Sequence, residues 1–407
     1  MPKKNDTLAA AKSGNNDEFY TLYEDIQREV NAYLEYNPDT FRDKTVLCPC
    51  DDPEWSNFTK FFAQNFNALG LKKLICTSYA TNSKNANGCI QLSLFDFLTD
   101  YERNSPQYNE QLSPRRGKIF VLTRRKKNIC IDDLQWKYLE GDGDFRSDEI
   151  KKLRDESDII VTNPPFSLFK EFLPWITRAN KEFLIIGNQN AITYKEVFPL
   201  LKSNSIWIGN RFNQRINGKN MTFAVPNSYP LSGTEYEVGA DGQKYVSVAG
   251  TGWFTNLEHG RRHKPLSLMT MAENIKYSKH KEIRDAVLPY PKYETIDGIE
   301  VKYTDAIPRD FDGIMGVPKT FMPFYCPEQF EILGYEREDE NIQCGISNLP
   351  QKFLDTYRSQ GGTGHYTKGM KMLCYYDGDG NAKVPFSKIL IRYTEEWKKA
   401  HPEDFRN

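Results

Sequence analysis

The stretch Asp158-Ile159-Ile160-Val161-Thr162-Asn163-Pro164-Pro165-Phe166 decides how this chain folds. Ile159 to Thr162 form a short apolar run without polar alternation, the pattern of a strand covered on both faces. Pro164 and Pro165 then end it, because proline has no N–H to give to a sheet ladder. A covered strand that stops in a polar, proline-rich turn belongs to a sheet whose ligands collect at the carboxyl ends of its strands.

Reading outward, Phe169, Phe172 and Trp175 fall at helical spacing, and Phe183-Leu184-Ile185-Ile186-Gly187 supplies another strand. Upstream, Thr45 to Cys50 is a strand that runs into the acidic turn Asp51-Asp52-Pro53. A helix follows through Phe58, Phe61, Phe62 and Phe66, stops at Gly70, and gives way to the strand Lys73 to Ser78. Before this βαβ unit, Leu22, Ile26, Val30 and Leu34 predict an amphipathic helix closing near Asn37-Pro38. The alternation indicates a doubly wound α/β sheet. Residues 1–16 read as a mobile tail and residues of about 80–133 as an insertion containing the strand Lys118 to Thr123. Met221 to Val225 and Tyr245 to Val248 are expected to complete the sheet's far edge. From residue 258 to 407, Pro-, Tyr- and Lys-rich segments without regular period point to a second region of mixed α+β structure.

Composition narrows the class. With 407 residues, 39% hydrophobic and 27% charged, the chain is expected to be globular with about two domains. A net charge of −1 means that nucleic-acid contact must come from local clusters of Lys and Arg. The eight cysteines include no CxxC pair, and no apolar leader is visible, so a reduced, cytoplasmic and soluble setting is expected. Cys48 and Cys50 flank Pro49 without a second pair, so they read as structural and no metal is expected. The apolar runs are too short for a membrane span.

Four strand ends carry polar or proline-rich sequence: Cys50 to Pro53, Thr77-Ser78, Asp142 to Phe145, and Asn163 to Phe166. One crevice is expected to gather them. Asn163 and Pro164 suit a reaction at an exocyclic amine, whose lone pair is delocalised into its ring. Two carbonyl oxygens accepting the amino hydrogens would favour a pyramidal, nucleophilic nitrogen. Phe166 would stack on a base taken out of the duplex.

These blocks, together with Asp17-Glu18-Phe19-Tyr20-Thr21, Ser56-Asn57-Phe58, Gly143 to Ser147, Pro308 to Pro318 and Cys326 to Glu331, resemble the EcoRI-type DNA adenine-N6 methyltransferases over most of the chain. The resemblance implies a Rossmann-like methyltransferase core over 17–257 and a target-recognition region over 258–407. It implies transfer from S-adenosyl-L-methionine to a flipped adenine held by Asn163, Pro164, Pro165 and Phe166. Phe19, Tyr20, Thr21, Cys50, Asp51, Asp52, Ser78, Asp144, Phe145 and Asn163 would meet the cofactor, with Asp144 accepting from its adenine. Double-stranded DNA is the implied partner, and a cognate restriction endonuclease for the same site is left open. Arg115, Arg116, Arg124, Arg125, Lys126, Arg261, Arg262 and Lys264 are the candidates for phosphate contact. Two blocks depart from the family pattern: Pro49 to Pro53 replaces a Gly-rich turn, and Ser78 stands where an acid usually holds the ribose. Two other readings remain at this point, an N-methyltransferase of RNA bases or protein glutamine, and an inactive DNA-binding scaffold.

Overall fold

A computed structural model describes residues 20–54, 56–80, 105–124, 135–212, 221–225, 235–240, 242–337 and 343–405. The expected tail, much of the expected insertion, and Phe19, Arg125 and Lys126 lie outside the described residues. The chain forms two compact units, one of Met1–Ala191 with Ile206–Gly260 and one of Ile192–Ser205 with Arg261–Asn407.

The first unit is mixed α/β. It begins with β1 (Tyr20–Thr21), α1 (Tyr23–Tyr36), β2 (Thr45–Cys48), α2 (Asn57–Gln64) and β3 (Lys73–Thr77). Next come β4 (Lys118–Thr123), β5 (Lys137–Tyr138), α3 (Asp148–Glu156), β6 (Ile159–Thr162), α4 (Phe169–Thr177) and β7 (Glu182–Asn188). The unit ends with β8 (Trp207–Phe212), β9 (Thr222–Val225), β10 (Glu235–Val238), β11 (Lys244–Ser247) and β12 (Thr251–Thr255). An eight-stranded sheet has the order β5-β4-β3-β2-β6-β7-β12-β8. Its centre, β3-β2-β6-β7, is parallel, and β4, β5, β12 and β8 join antiparallel. Every residue of β2 and β6 is buried, as their unbroken apolar runs require. The chain moves from β2 to β3 on one side and later places β6 on the other, so the strand order reverses between β2 and β6.

Two edge assignments differ from expectation. Lys118–Thr123, expected within an insertion, is β4 of the main sheet, antiparallel to β3. Met221 to Val225 and Tyr245 to Val248 do not complete the far edge. They contribute β9 and β11 to a separate antiparallel sheet, β1-β9-β11-β10. The far edge is β12 and β8, where Gly252 lets β12 approach β8 closely: a Cβ there would lie 2.5 Å from Phe212 Cα.

The helix α1 buries Ile26, Val30 and Tyr33 on one face, but also Asp25 and Glu29. Glu29 accepts from the Asn210 and Arg211 backbone N–H groups (2.7 and 2.8 Å) and from the Tyr33 hydroxyl (3.0 Å). Asp25 pairs with Arg211. Gly209 makes room for this, since a Cβ there would stand 2.5 Å from Glu29 Oε1.

In the second unit, β13 (Gly298–Glu300), β14 (Ile314–Pro318) and β15 (Phe330–Tyr335) precede a short hairpin of β16 (Tyr375–Tyr376) and β17 (Ala382–Lys383). With β18 (Lys388–Tyr393) the main strands form a sheet of order β13-β14-β18-β15. A buried ion pair, Glu300 with Lys388 at 2.5 Å, crosses it, and Lys388 Nζ also donates to the Val301 carbonyl at 2.7 Å. The segment Ile192–Ser205 adds α5 (Phe198–Lys202), whose Phe198 packs on Tyr335 with ring centroids 5.0 Å apart. Among the described residues no helix is long and apolar enough to cross a membrane.

Removing the Glu29 carboxylate strands two strand N–H groups and takes one partner from the Tyr33 hydroxyl. Glu29→Ala is expected to destabilise the protein by about 3 kcal/mol, measured by urea unfolding.

Candidate active site

The reversal of strand order brings the carboxyl ends of β2 and β6 side by side, and Asp51 ties them together. Its Oδ2 accepts from Thr162 Oγ1 at 2.6 Å and its Oδ1 from Ser56 Oγ at 2.8 Å. Its own N–H donates to the Thr77 carbonyl at 2.8 Å, and Thr77 Oγ1 donates to the Pro49 carbonyl at 3.1 Å. The ends of β2, β3 and β6 and the start of α2 thus meet at one residue, Asp51, that is only 5% exposed. Burial pushes Asp51 up to about 7, against the pull of its hydrogen bonds from Thr162 and Ser56, and Asp52 adds to the rise. Burial, with Asp51 beside it, also pushes the Cys50 thiol up, so Cys50 stays neutral.

Asp52 and Glu54 share the buried Lys118 ammonium at 3.3 and 2.8 Å, and Lys118 lies 4.8 Å from the centroid of the Trp136 ring. Ser78 receives the Lys118 N–H on its Oγ at 3.3 Å and returns its own N–H to the Lys118 carbonyl at 3.0 Å. A Cβ at Gly117 or at Gly143 would collide with the Ser78 carbonyl, and Gly143 has φ +84°. These two glycines let their segments pack directly against the backbone at the end of β3.

The loop after β6 is anchored at both ends. Pro165 accepts from Leu168 N at 3.0 Å, closing a 3-10 turn, whereas among the described residues no protein donor meets the Pro164 carbonyl. Phe166 is 9% exposed and meets Phe223 edge-on at 6.4 Å. Phe223 is the register partner of Thr21 in β1, and the Thr21 carbonyl accepts from Asn57 Nδ2 at 2.9 Å. Tyr20 and Thr21 are thereby brought to the Asn163–Phe166 loop. The Thr21 hydroxyl is buried without a hydrogen-bond partner.

Asp144 is gripped by Arg146, which donates Nε to Oδ1 at 2.9 Å and Nη2 to Oδ2 at 2.7 Å, and Arg146 also reaches Glu171 at 3.0 Å. Burial raises the Asp144 carboxyl, but the Arg146 contacts outweigh it and hold it below the usual range. Phe145 is buried against Phe172 and Trp175, 5.0 and 5.5 Å between centroids. Ala80 N donates to the Asp142 carbonyl at 2.7 Å, which seats this block against the end of β3.

The basic candidates divide. Arg115 and Arg116 are exposed and precede β4, at the carboxyl edge of the parallel strands. Arg124 follows β4 at the opposite edge, where it pairs with Asp43 at 2.6 Å and bonds to the Gly70 carbonyl. Arg261 lies over the Phe324 ring, Arg262 is buried with Asn204 at 3.3 Å, and Lys264 is exposed. Among the described residues no group of His, Cys, Asp and Glu is placed to hold a metal ion. Thr162, Ser56, Lys118, Glu54 and Arg146 are site residues that the sequence reading did not single out for these contacts. Ser56 carried a detectable signal as the cap before a helical run, its Oγ accepting from Phe58 N at 3.1 Å. Lys118, a charge at the head of an apolar strand, carried none.

Two outcomes follow from this geometry. Gly143→Ala is expected to lose about 2 kcal/mol in urea unfolding through its positive φ and the Ser78 collision, while Gly369→Ala, with open space around it, is near neutral. Asp51 binds its proton more tightly folded than unfolded, so its contribution is full below its ordinary 3.8 and lost as pH rises through about 7. The stability of wild type relative to Asp51→Asn is expected to grow, by up to ~4 kcal/mol, as pH falls from 8 to 4 in paired urea titrations.

Residues 7–393 match the family described as adenine-specific methyltransferase EcoRI. The chain is 40% identical over 333 residues to the Type II methyltransferase M.EcoRI of Escherichia coli, covering 82% of this chain and 90% of that one. It is 36% identical over 325 residues to the Type II methyltransferase M.MpnI of Mycoplasma pneumoniae, covering 79% and 83%. M.MgeORF184P of Mycoplasma genitalium, also a Type II methyltransferase, is 35% identical over 325 residues, covering 79% and 84%. No solved structure matches. With residues 7–393 matched by the family and 82% of the chain aligned to M.EcoRI, the chain belongs to the EcoRI adenine-specific methyltransferase family and is a site-specific adenine DNA methyltransferase.

Proposed function

We propose that the chain transfers a methyl group from S-adenosyl-L-methionine to the N6 amine of an adenine flipped out of double-stranded DNA. The observation that carries this reading is the position of Asn163 to Phe166 at the strand-order reversal, next to the Asp51 turn. Ligands of doubly wound sheets bind at such a point, which supports a Rossmann-like core.

The residues fit the cofactor. Thr21 offers a buried hydroxyl without a partner, and Gly117 and Gly143 let their segments pack against the Ser78 carbonyl at the end of β3. Tyr20, Thr21, Cys50, Asp52, Ser78, Asp144 and Phe145 would hold it. Asp144 keeps acceptor capacity beyond the Arg146 contacts, because a carboxylate presents about four lone-pair sites. When bound, the cofactor supplies an electrophilic methyl group on a sulfonium.

Asn163 Oδ1 and the Pro164 carbonyl accept the two N6 hydrogens, which localises the nitrogen lone pair toward the methyl group. Phe166, braced edge-on by Phe223, gives the base a ring to rest against. The amine is paired in the duplex, so the base must leave it to react. No strong base is required among these side chains, since the proton leaves a nitrogen that has become cationic. Arg115 and Arg116 are assigned to DNA phosphates, and the region 258–407 to target recognition. The Type II designation of the relatives supports a cognate restriction endonuclease reading the same site. The described cysteines are free thiols, in keeping with work in the cytoplasm.

Asn163→Ala is expected to lower methyl transfer to duplex DNA by about 10²–10³-fold while DNA binding is retained, read from labelled-methyl incorporation and gel shift. Digested product should contain N6-methyladenine. Full activity in the variant, or label in RNA or glutamine instead, contradicts the assignment.

A further inference from the structure

The resemblance groups Asp51 with the cofactor ligands, but its surroundings give it another task. Both carboxylate oxygens face protein hydroxyls, Thr162 on β6 and Ser56 at the start of α2. Thr162 is fully buried and immediately precedes Asn163. Its backbone is held in register with Ile185 on β7, and its side chain is held by Asp51. The peptide leaving Thr162 therefore has one direction.

The other half of the carboxylate extends the connection. Ser56 caps α2, and the next residue, Asn57, holds the Thr21 carbonyl at 2.9 Å. Thr21 pairs with Phe223, whose ring meets Phe166 at the far end of the catalytic block. A closed circuit runs from Asp51 through Ser56, Asn57, Thr21, Phe223 and Phe166 and back through Thr162.

We propose that Asp51 is a positioning residue for methyl transfer, locking the start of the Asn163 loop to the helix that carries the Thr21 block. This rests on the proposed function above. Asp51 serves the rate of the chemical step, through the placement of the Asn163 and Pro164 carbonyls, and contributes little to holding the methyl donor. The ionised form is the one that accepts from both hydroxyls at once. The titratable groups around it are Asp52 and the Cys50 and Cys48 thiols, with Asp144 facing Cys50, Cys76 facing Cys48, and Lys118 balancing Asp52. Burial keeps the Asp51 proton near neutrality, and Thr162 lowers its affinity for that proton. Loss of the Thr162 hydroxyl therefore moves the Asp51 titration upward.

The test compares wild type with Thr162→Val, Thr162→Ser and Asp51→Asn. Single-turnover methylation is measured at saturating S-adenosylmethionine and duplex DNA across pH 5.5 to 9 (about 3.5 units, spanning the neutral range). Donor Kd is measured by calorimetry. Thr162→Val is expected to slow transfer about 10- to 100-fold with donor Kd within about threefold of wild type. Its acid limb should move to higher pH, Asp51→Asn should lack that limb, and Thr162→Ser should recover most of the rate. An unchanged rate in Thr162→Val, an unmoved limb, or a donor Kd weakened as much as the rate overturns the proposal. Hydrogen exchange on the ligand-free protein separates this from the functional reading. Thr162→Val should exchange about tenfold faster than wild type across residues 163–169. Equal exchange overturns the lock even if methylation is seen, and wild type without methyl transfer refutes the function while exchange still decides the lock.

Discussion

The hydrogen bond from Thr162 to the Asp51 carboxylate is the contact on which the site depends. It joins two parallel strands at the place where the strand order reverses, the one point at which a doubly wound sheet opens a crevice between neighbouring strand ends. A hydrogen bond to a charged group contributes about 1.5–3 kcal/mol, while desolvating a carboxylate costs several kcal/mol. The rise of Asp51 to about 7 says which effect wins: the two hydroxyls compensate only part of the desolvation. The rest of the sheet, with β2 and β6 buried along their whole length, holds the carboxylate in place against that cost.

At the same edge a proline-bounded turn, Pro49 to Pro53, stands where the resemblance implies a glycine-rich one. Pro49 to Pro53 follows β2 with its backbone tied to Thr77, so it is rigid where a glycine loop would be adaptable. One strand over, Gly117 and Gly143 pack their segments against the Ser78 carbonyl. Ser78 is then a hub for the backbone, and acidic character shifts to Asp52 and Glu54, neutralised by Lys118.

The central strands were legible in the sequence because two-sided burial leaves unbroken apolar runs at β2, β3, β6 and β7. The turns after them were legible as polar or proline-rich ends. The edges were not. The strand β4 alternates in burial along its length and resembles any half-covered strand, so its place beside β3 follows from pairing that no local pattern encodes. The strand β1 spans Tyr20–Thr21 alone and exists through its pairing with β9. In α1 the apolar stripe was readable, but the burial of Glu29 depends on backbone groups 181 positions further along the chain. Charge clusters in the sequence did not show how their members divide in space. Arg115 and Arg124 flank one strand and lie at opposite edges of the sheet, and Arg262 is internal. The Asn163–Phe166 tetrapeptide itself was visible, whereas the carboxylate bonded to Thr162 just before it was visible only as an acidic turn.

The most direct measurement is a crystal structure of the protein with duplex DNA and an unreactive analogue of S-adenosylmethionine. The account predicts an extrahelical adenine whose N6 lies about 3 Å from both Asn163 Oδ1 and the Pro164 carbonyl, with Asp51 still bonded to Thr162 and Ser56. An adenine amine held by other residues, or an Asp51 carboxylate that has left Thr162 for the ribose of the cofactor, would contradict it.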